Sequence, residues 1–106
     1  MNYEKWSKKE KSIARAAFDK AYDKECNQII GKLKEKSLKL SDPEDIWELH
    51  DYLSEIRKEI DEKYDYRYSV LIMVFAHLLK QQWLKIDDIE GLSVEKIDRI
   101  KSLANI

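Results

Sequence analysis

Turn-forming residues are almost missing from this sequence: 106 residues hold two glycines and one proline. β-Sandwiches, dinucleotide folds and phosphate-binding loops need such residues at many tight turns, so these folds are excluded and a helical chain is expected. Cysteine is also scarce. Cys26 is a single thiol and has no internal disulfide partner, and Met1 to Trp6 contains no apolar secretory core, so the chain reads as cytoplasmic. Long hydrophobic runs are lacking as well. The longest, Val70 to Ala76 with Leu78 and Leu79 beyond His77, falls well short of the ~20 apolar residues that span a bilayer. It reads as a buried core helix, and no integral membrane insertion is expected. Nor does one sign of charge dominate, with 20 basic against 21 acidic residues and a net charge of -1. No global attraction to nucleic acid or anionic lipid follows from that balance.

What is present is charge and hydrophobicity arranged along the chain. With 43% hydrophobic and 39% charged residues, the composition suits one domain with a modest core, and a two-domain enzyme is excluded by length. Residues 1–40 carry 11 basic and 6 acidic side chains, residues 41–65 carry 3 and 10, and residues 66–106 carry 6 and 5. A basic first segment and an acidic second one favour pairing, within the chain or between chains.

The first helix is expected to start at the capping box Ser7-Lys8-Lys9-Glu10 and to run to about Lys36, roughly 45 Å at 1.5 Å per residue. Its apolar positions Ile13, Ala17, Phe18, Ala21, Tyr22, Ile29, Ile30, Leu33 and Leu40 recur at helical spacing. Asp42-Pro43-Glu44-Asp45 marks the start of a second helix, which runs to about Glu62. Its stripe of Ile46, Leu49, Leu53, Ile56 and Ile60 is expected to be a core or dimer face. A third helix carries the apolar run, a short turn at Ile86 to Ile89 ends at Gly91, and Ser93 caps a last helix bearing Val94, Ile97, Ile100 and Leu103.

Beside the stripe of the second helix, at about 100° per residue, lie Trp47, His50, Asp51, Ser54, Arg57, Lys58 and Asp61. Trp and Arg dominate protein interfaces because each joins a large contact area to directional polar atoms, so this arc reads as a protein-binding patch. Trp47 can equally widen the core stripe or contact a second copy. His50, Asp51 and Ser54 do not form a catalytic triad, since adjacent His and Asp splay about 100° apart on a helix and no glycine-rich oxyanion turn accompanies them. No metal site is expected from two separated histidines and one cysteine, and His77 reads as a buried histidine with one hydrogen bond. Lys32, Lys34, Lys36 and Lys39 read as a solvated face, not a nucleic-acid surface.

The segment Trp47-Glu48-Leu49-His50-Asp51-Tyr52-Leu53-Ser54, then Arg57-Lys58-Glu59-Ile60-Asp61 and Lys63 to Val70, resembles the fluorescence recovery proteins of cyanobacteria. The likeness continues through Val74-Phe75-Ala76 and Leu78-Leu79-Lys80, and reaches back to Trp6-Ser7 and Ala17 to Tyr22. It implies an all-α homodimer of a single domain, residues 1–106, with a two-helix stalk over about 7–62 and a compact helical head over about 63–106. It also implies a non-enzymatic regulator without cofactor. Such proteins bind the photoactivated orange carotenoid protein, mainly its C-terminal domain, and speed its red-to-orange reversion. That reversion ends non-photochemical quenching at the phycobilisome, near the thylakoid surface. The family's partner-binding Trp, His, Asp and Arg correspond to Trp47, His50, Asp51 and Arg57, with Met73 and Arg99 as further contacts on the head. Ile56, Lys58, Glu62 and Met73 depart from the usual family residues, a basic residue, His, Gly and Phe. The alternative is a helical dimer of the same fold that scaffolds an unrelated complex where that photoreceptor does not occur.

Overall fold

A computed structural model describes residues 5–106. The described residues form α1 (Lys8–Ser37), α2 (Pro43–Lys63), α3 (Leu71–Lys80), a 3-10 turn (Ile86–Ile89) and α4 (Val94–Leu103), without a named strand. The long axis measures 54 Å against 26 Å in the other two directions.

The expected start of α1 is present and does more than cap one helix. Ser7 Oγ accepts from the Glu10 N–H at 3.0 Å, and Glu10 Oε1 accepts from the Ser7 N–H at 3.0 Å. The other carboxylate oxygen of Glu10 accepts from the Ser93 N–H, the N-cap of α4, at 2.9 Å. Lys96, the second buried charge, donates to Glu10 Oε1 at 3.1 Å and to the Lys5 carbonyl at 2.6 Å. A single carboxylate thus joins the beginnings of two helices, with Glu10 83 residues along the sequence from the Ser93 it reaches.

Around this lock sits the core. Ala14, Ala17, Phe18 and Ala21 of α1 pack with Leu71, Phe75 and Leu78 of α3 and with Leu84, Ile89 and Ile100. Three alanines on one face of α1 let the neighbouring backbone approach closely. Gly91 shows how closely: its φ is +104°, and a Cβ there would stand 2.5 Å from Ile13 Cδ1. The backbone angle is what favours glycine here, and any side chain would also have to displace the Ile13 terminal methyl.

The core therefore divides the chain differently from the stalk and head read in the sequence. The first half of α1 belongs to the head, and only its second half projects with α2. This explains why the helical period of α1 does not mean burial along its length: Tyr22 and Ile30 are exposed, as is Leu40 just beyond its end. In α2 no residue is buried. Ile46 and Leu53 of its apolar stripe are exposed, while Leu49, Ile56 and Ile60 are partly covered. The stripe is not part of the core of the single chain.

One more expectation changes. His77 is exposed, because Met73, His77 and Lys80 follow one another at helical spacing along the outer face of α3 while the apolar residues take the inner one. In α4, Val94 and Leu103 are exposed and the packing is done by Ile97 and Ile100, as the helix is short and only its middle touches the core.

Candidate functional site

α2 is held at its beginning by Asp45, whose carboxylate accepts from the backbone N–H groups of Ser41 at 3.0 Å and Asp42 at 3.1 Å. Pro43 opens the helix, where a missing N–H costs nothing. Hydrogen bonding from these two backbone groups keeps the Asp45 carboxyl below its usual range. With its entry fixed in this way, α2 displays the expected arc over about 21 Å from Trp47 to Asp61 at 1.5 Å per residue.

Trp47 is 64% exposed, so it is neither a core residue nor an extension of one. His50 Nδ1 approaches Asp51 Oδ1 at 3.5 Å, closer than the angular splay of neighbouring residues suggested, and both side chains are exposed. Ser54 is exposed and joins neither of them by a hydrogen bond shown among the described residues. Arg57 reaches one turn on to Asp61, with Nε 3.6 Å from Oδ2. Both contacts lie in water, where such pairs contribute about 0–1 kcal/mol. The fold asks nothing of these four side chains, and they remain available to another molecule.

The head residues sit apart from this arc. Met73 is 64% exposed and borders an open cleft of about 580 Å³ whose other wall is formed by Glu59, Glu62 and Lys63 of α2. The structure thus brings Met73 beside the end of α2. Arg99 lies on the exposed side of α4. Trp47, at the opposite end of α2, is separated from Lys63 by about 24 Å along the helix.

The profile of the family described as photoprotection regulator fluorescence recovery protein matches residues 6–104. The chain belongs to that family. It is 40% identical over 101 residues to the fluorescence recovery protein of Synechocystis sp. (strain ATCC 27184 / PCC 6803 / Kazusa), covering 95% of this chain and 93% of that protein. The solved structure of the Fremyella diplosiphon fluorescence recovery protein superposes with a TM-score of 0.90 at 48% identity, over 96% of this chain and 100% of that one. The Synechocystis protein's structure gives 0.89 at 39% identity over the same shares. The all-α fold expected from the sequence is therefore the fold of fluorescence recovery proteins.

No group of three or more His, Cys, Asp or Glu side chains that could hold a metal ion occurs among the described residues, and none of their helices is long and apolar enough to cross a membrane.

Sequence reasoning missed a second polar group, at the base of the stalk. Glu25 of α1 meets Lys63 at 2.6 Å and the Tyr64 hydroxyl at 2.8 Å, with Trp83 lining the adjoining groove beside Ile56 and Ile60. Charge counting pointed the wrong way here. The partly buried carboxylate comes from the basic segment, and the lysine comes from the acidic one.

Proposed function

We propose that this chain binds the photoactivated orange carotenoid protein, mainly through that protein's C-terminal domain, and accelerates its red-to-orange reversion, ending non-photochemical quenching at the phycobilisome. Membership of a family of photoprotection regulators supports the reading at the coarse level. The observation that carries it to residues is α2 itself, a helix with no buried residue that displays Trp47, His50, Asp51 and Arg57 to solvent. Trp and Arg are enriched where protein surfaces meet, so an exposed Trp47 with Arg57 on the same helix fits a docking surface.

Self-association belongs to the same proposal. Ile46 and Leu53 are exposed in the single chain, and a second copy placed along the α2 stripe would cover them, with Trp47 at the edge of the contact and His50, Asp51 and Arg57 left free. The dimer then offers its partner a stiff helical surface. Such a surface holds the two halves of an opened photoreceptor near each other and turns their reunion into a nearly intramolecular step. It accelerates only if it holds the closing arrangement more tightly than the open one, and weak affinity for the closed form releases the product. The chain needs no pigment for this, and the proposed site of action is the cytoplasmic face of the thylakoid.

Asp51→Leu and Arg57→Leu test the assignment. Loss of a central interface charge whose partner stays buried typically costs about 2–5 kcal/mol of binding. Each variant is expected to keep its circular dichroism spectrum and lose acceleration of the red-to-orange rate. If spectrum and rate fall together, these residues hold the fold, and the assignment fails.

A further inference from the structure

The direction of α2 relative to the head is not fixed by a packed core, because α2 buries none of its residues. Near the tip of the stalk, the Lys36 ammonium lies 4.5 Å from the centre of the Tyr52 ring. At the base, the Glu25 carboxylate accepts on both oxygens. Oε2 takes Lys63 Nζ at 2.6 Å, and Oε1 takes the Tyr64 hydroxyl at 2.8 Å. The side chains of Lys63 and Glu25 keep only 10% and 13% of their exposure, against 84% and 67% for Arg57 and Asp61. This pair is shielded from water, and its geometry is correspondingly directional.

Tyr64 connects the pair to the core. It is the residue at which α2 ends, with φ -96° and ψ 70°. Its ring stands edge-on to Phe18 at 5.4 Å and to Tyr22 at 5.2 Å, and Phe18 belongs to the head core. Burial first, then the hydrogen bond and charge of Glu25, push the Tyr64 phenol upward, so it stays protonated and donates. One carboxylate on α1 therefore grips the last residue of the stalk helix and the first residue of the chain entering the head.

We infer that Glu25 is a positioning residue, which through Lys63 and Tyr64 sets the angle between α2 and the head so that the Trp47 arc and Met73 meet one partner together. The inference rests on the partner-binding reading above. The cleft beside Met73 has one wall on α2 and the other on α3, so its width follows that angle. A loose joint would have to be ordered by each binding event, whereas a fixed one presents both surfaces already aligned.

The test uses Glu25→Gln, which keeps the size of the side chain and an acceptor for Tyr64 while removing the charge opposite Lys63, and Lys63→Met, which keeps the stem. Spin labels at Ser54→Cys and Ser102→Cys, in a Cys26→Ser background diluted with unlabelled protein, report the distance from stalk to head. The unsubstituted junction is expected to give one narrow distance distribution, and both variants a broad one. Binding of each variant to the isolated C-terminal domain of the orange carotenoid protein stays unchanged, because the Trp47 arc is intact. Maximal acceleration of the full photoreceptor falls by roughly fivefold to tenfold. A distribution that stays narrow in both variants overturns the inference, as does full acceleration by a variant whose distribution is broad. A lower melting temperature with unchanged distances and rate would mark a purely structural pair and also overturns it. If the unsubstituted protein leaves the reversion rate untouched, the functional reading falls, and the distance measurement still reports on the joint by itself.

Discussion

Glu10 shows how much one side chain can hold. Desolvation would raise its carboxyl, but the N–H groups of Ser7 and Ser93 and the Lys96 ammonium outweigh that and bring it from 4.5 down to about 2. A folded-state value below the unfolded one stabilises the fold fully above about pH 5, and the contribution is lost as pH falls from 4.5 toward 2. It amounts to at most about 3 kcal/mol at neutral pH, and to less where water at the rim screens the charges. At one fixed protein concentration, the stability gap between the unsubstituted protein and Glu10→Gln is expected to close by up to that amount as pH is lowered through this window in chemical denaturation. A constant gap would show that the pair does not hold its charge. The capping box was legible in Ser7 and Glu10, but the role of Lys96 was not, since no spacing rule links residues 86 positions apart. Trp47 makes the opposite case. Truncating a buried Trp costs about 3–5 kcal/mol, whereas at 64% exposure Trp47→Ala is expected to cost the head under about 1 kcal/mol. Thermal unfolding checks this, with a slower recovery rate and weaker self-association expected alongside.

At the scale of the element, the two glycines have opposite roles that composition cannot separate. Gly31 lies inside α1, and a Cβ added there would meet nothing within 4 Å, so Gly31→Ala is expected to stabilise by about 0.5–1 kcal/mol through helix propensity. Gly91 turns the chain at φ +104° against Ile13, so Gly91→Ala is expected to destabilise by more than about 1 kcal/mol. Paired melting curves of the two variants should move in opposite directions. Helix boundaries were readable because caps are local: Ser7, Pro43 and Ser93 each sit where their helix starts. Which apolar positions would be buried was less readable. Periodicity gives a face to every helix, but Ala14 is covered and Ile30 is not, because cover comes from elements far along the chain.

For the molecule as a whole, the question is what covers α2. Leu53 is 37% exposed and lies outside the head core, so Leu53→Glu is expected to abolish self-association while leaving helical content in place. Sedimentation velocity at micromolar concentration decides it. A compact monomer before substitution would sink the proposed dimer, and a variant that unfolds would place Leu53 in the core after all. Stability of the head and association of the stalk should separate cleanly, since the buried cluster draws on α1, α3 and α4 and takes nothing from α2.

The sequence by itself determined the helical class, the helix starts, the turn at Gly91 and the arc of Trp47, His50, Asp51 and Arg57, because caps, φ preferences and helical period act over a few residues. Its likeness to fluorescence recovery proteins was also carried by local runs around that arc. Tertiary structure alone decided that the first half of α1 is head and the second half stalk, that His77 faces water, and that Lys96 and Glu25 find their partners across the chain. These outcomes depend on which surfaces meet once the helices exist. A pattern of period 3.6 names the face that seeks cover, and only the packed chain supplies the neighbour that covers it.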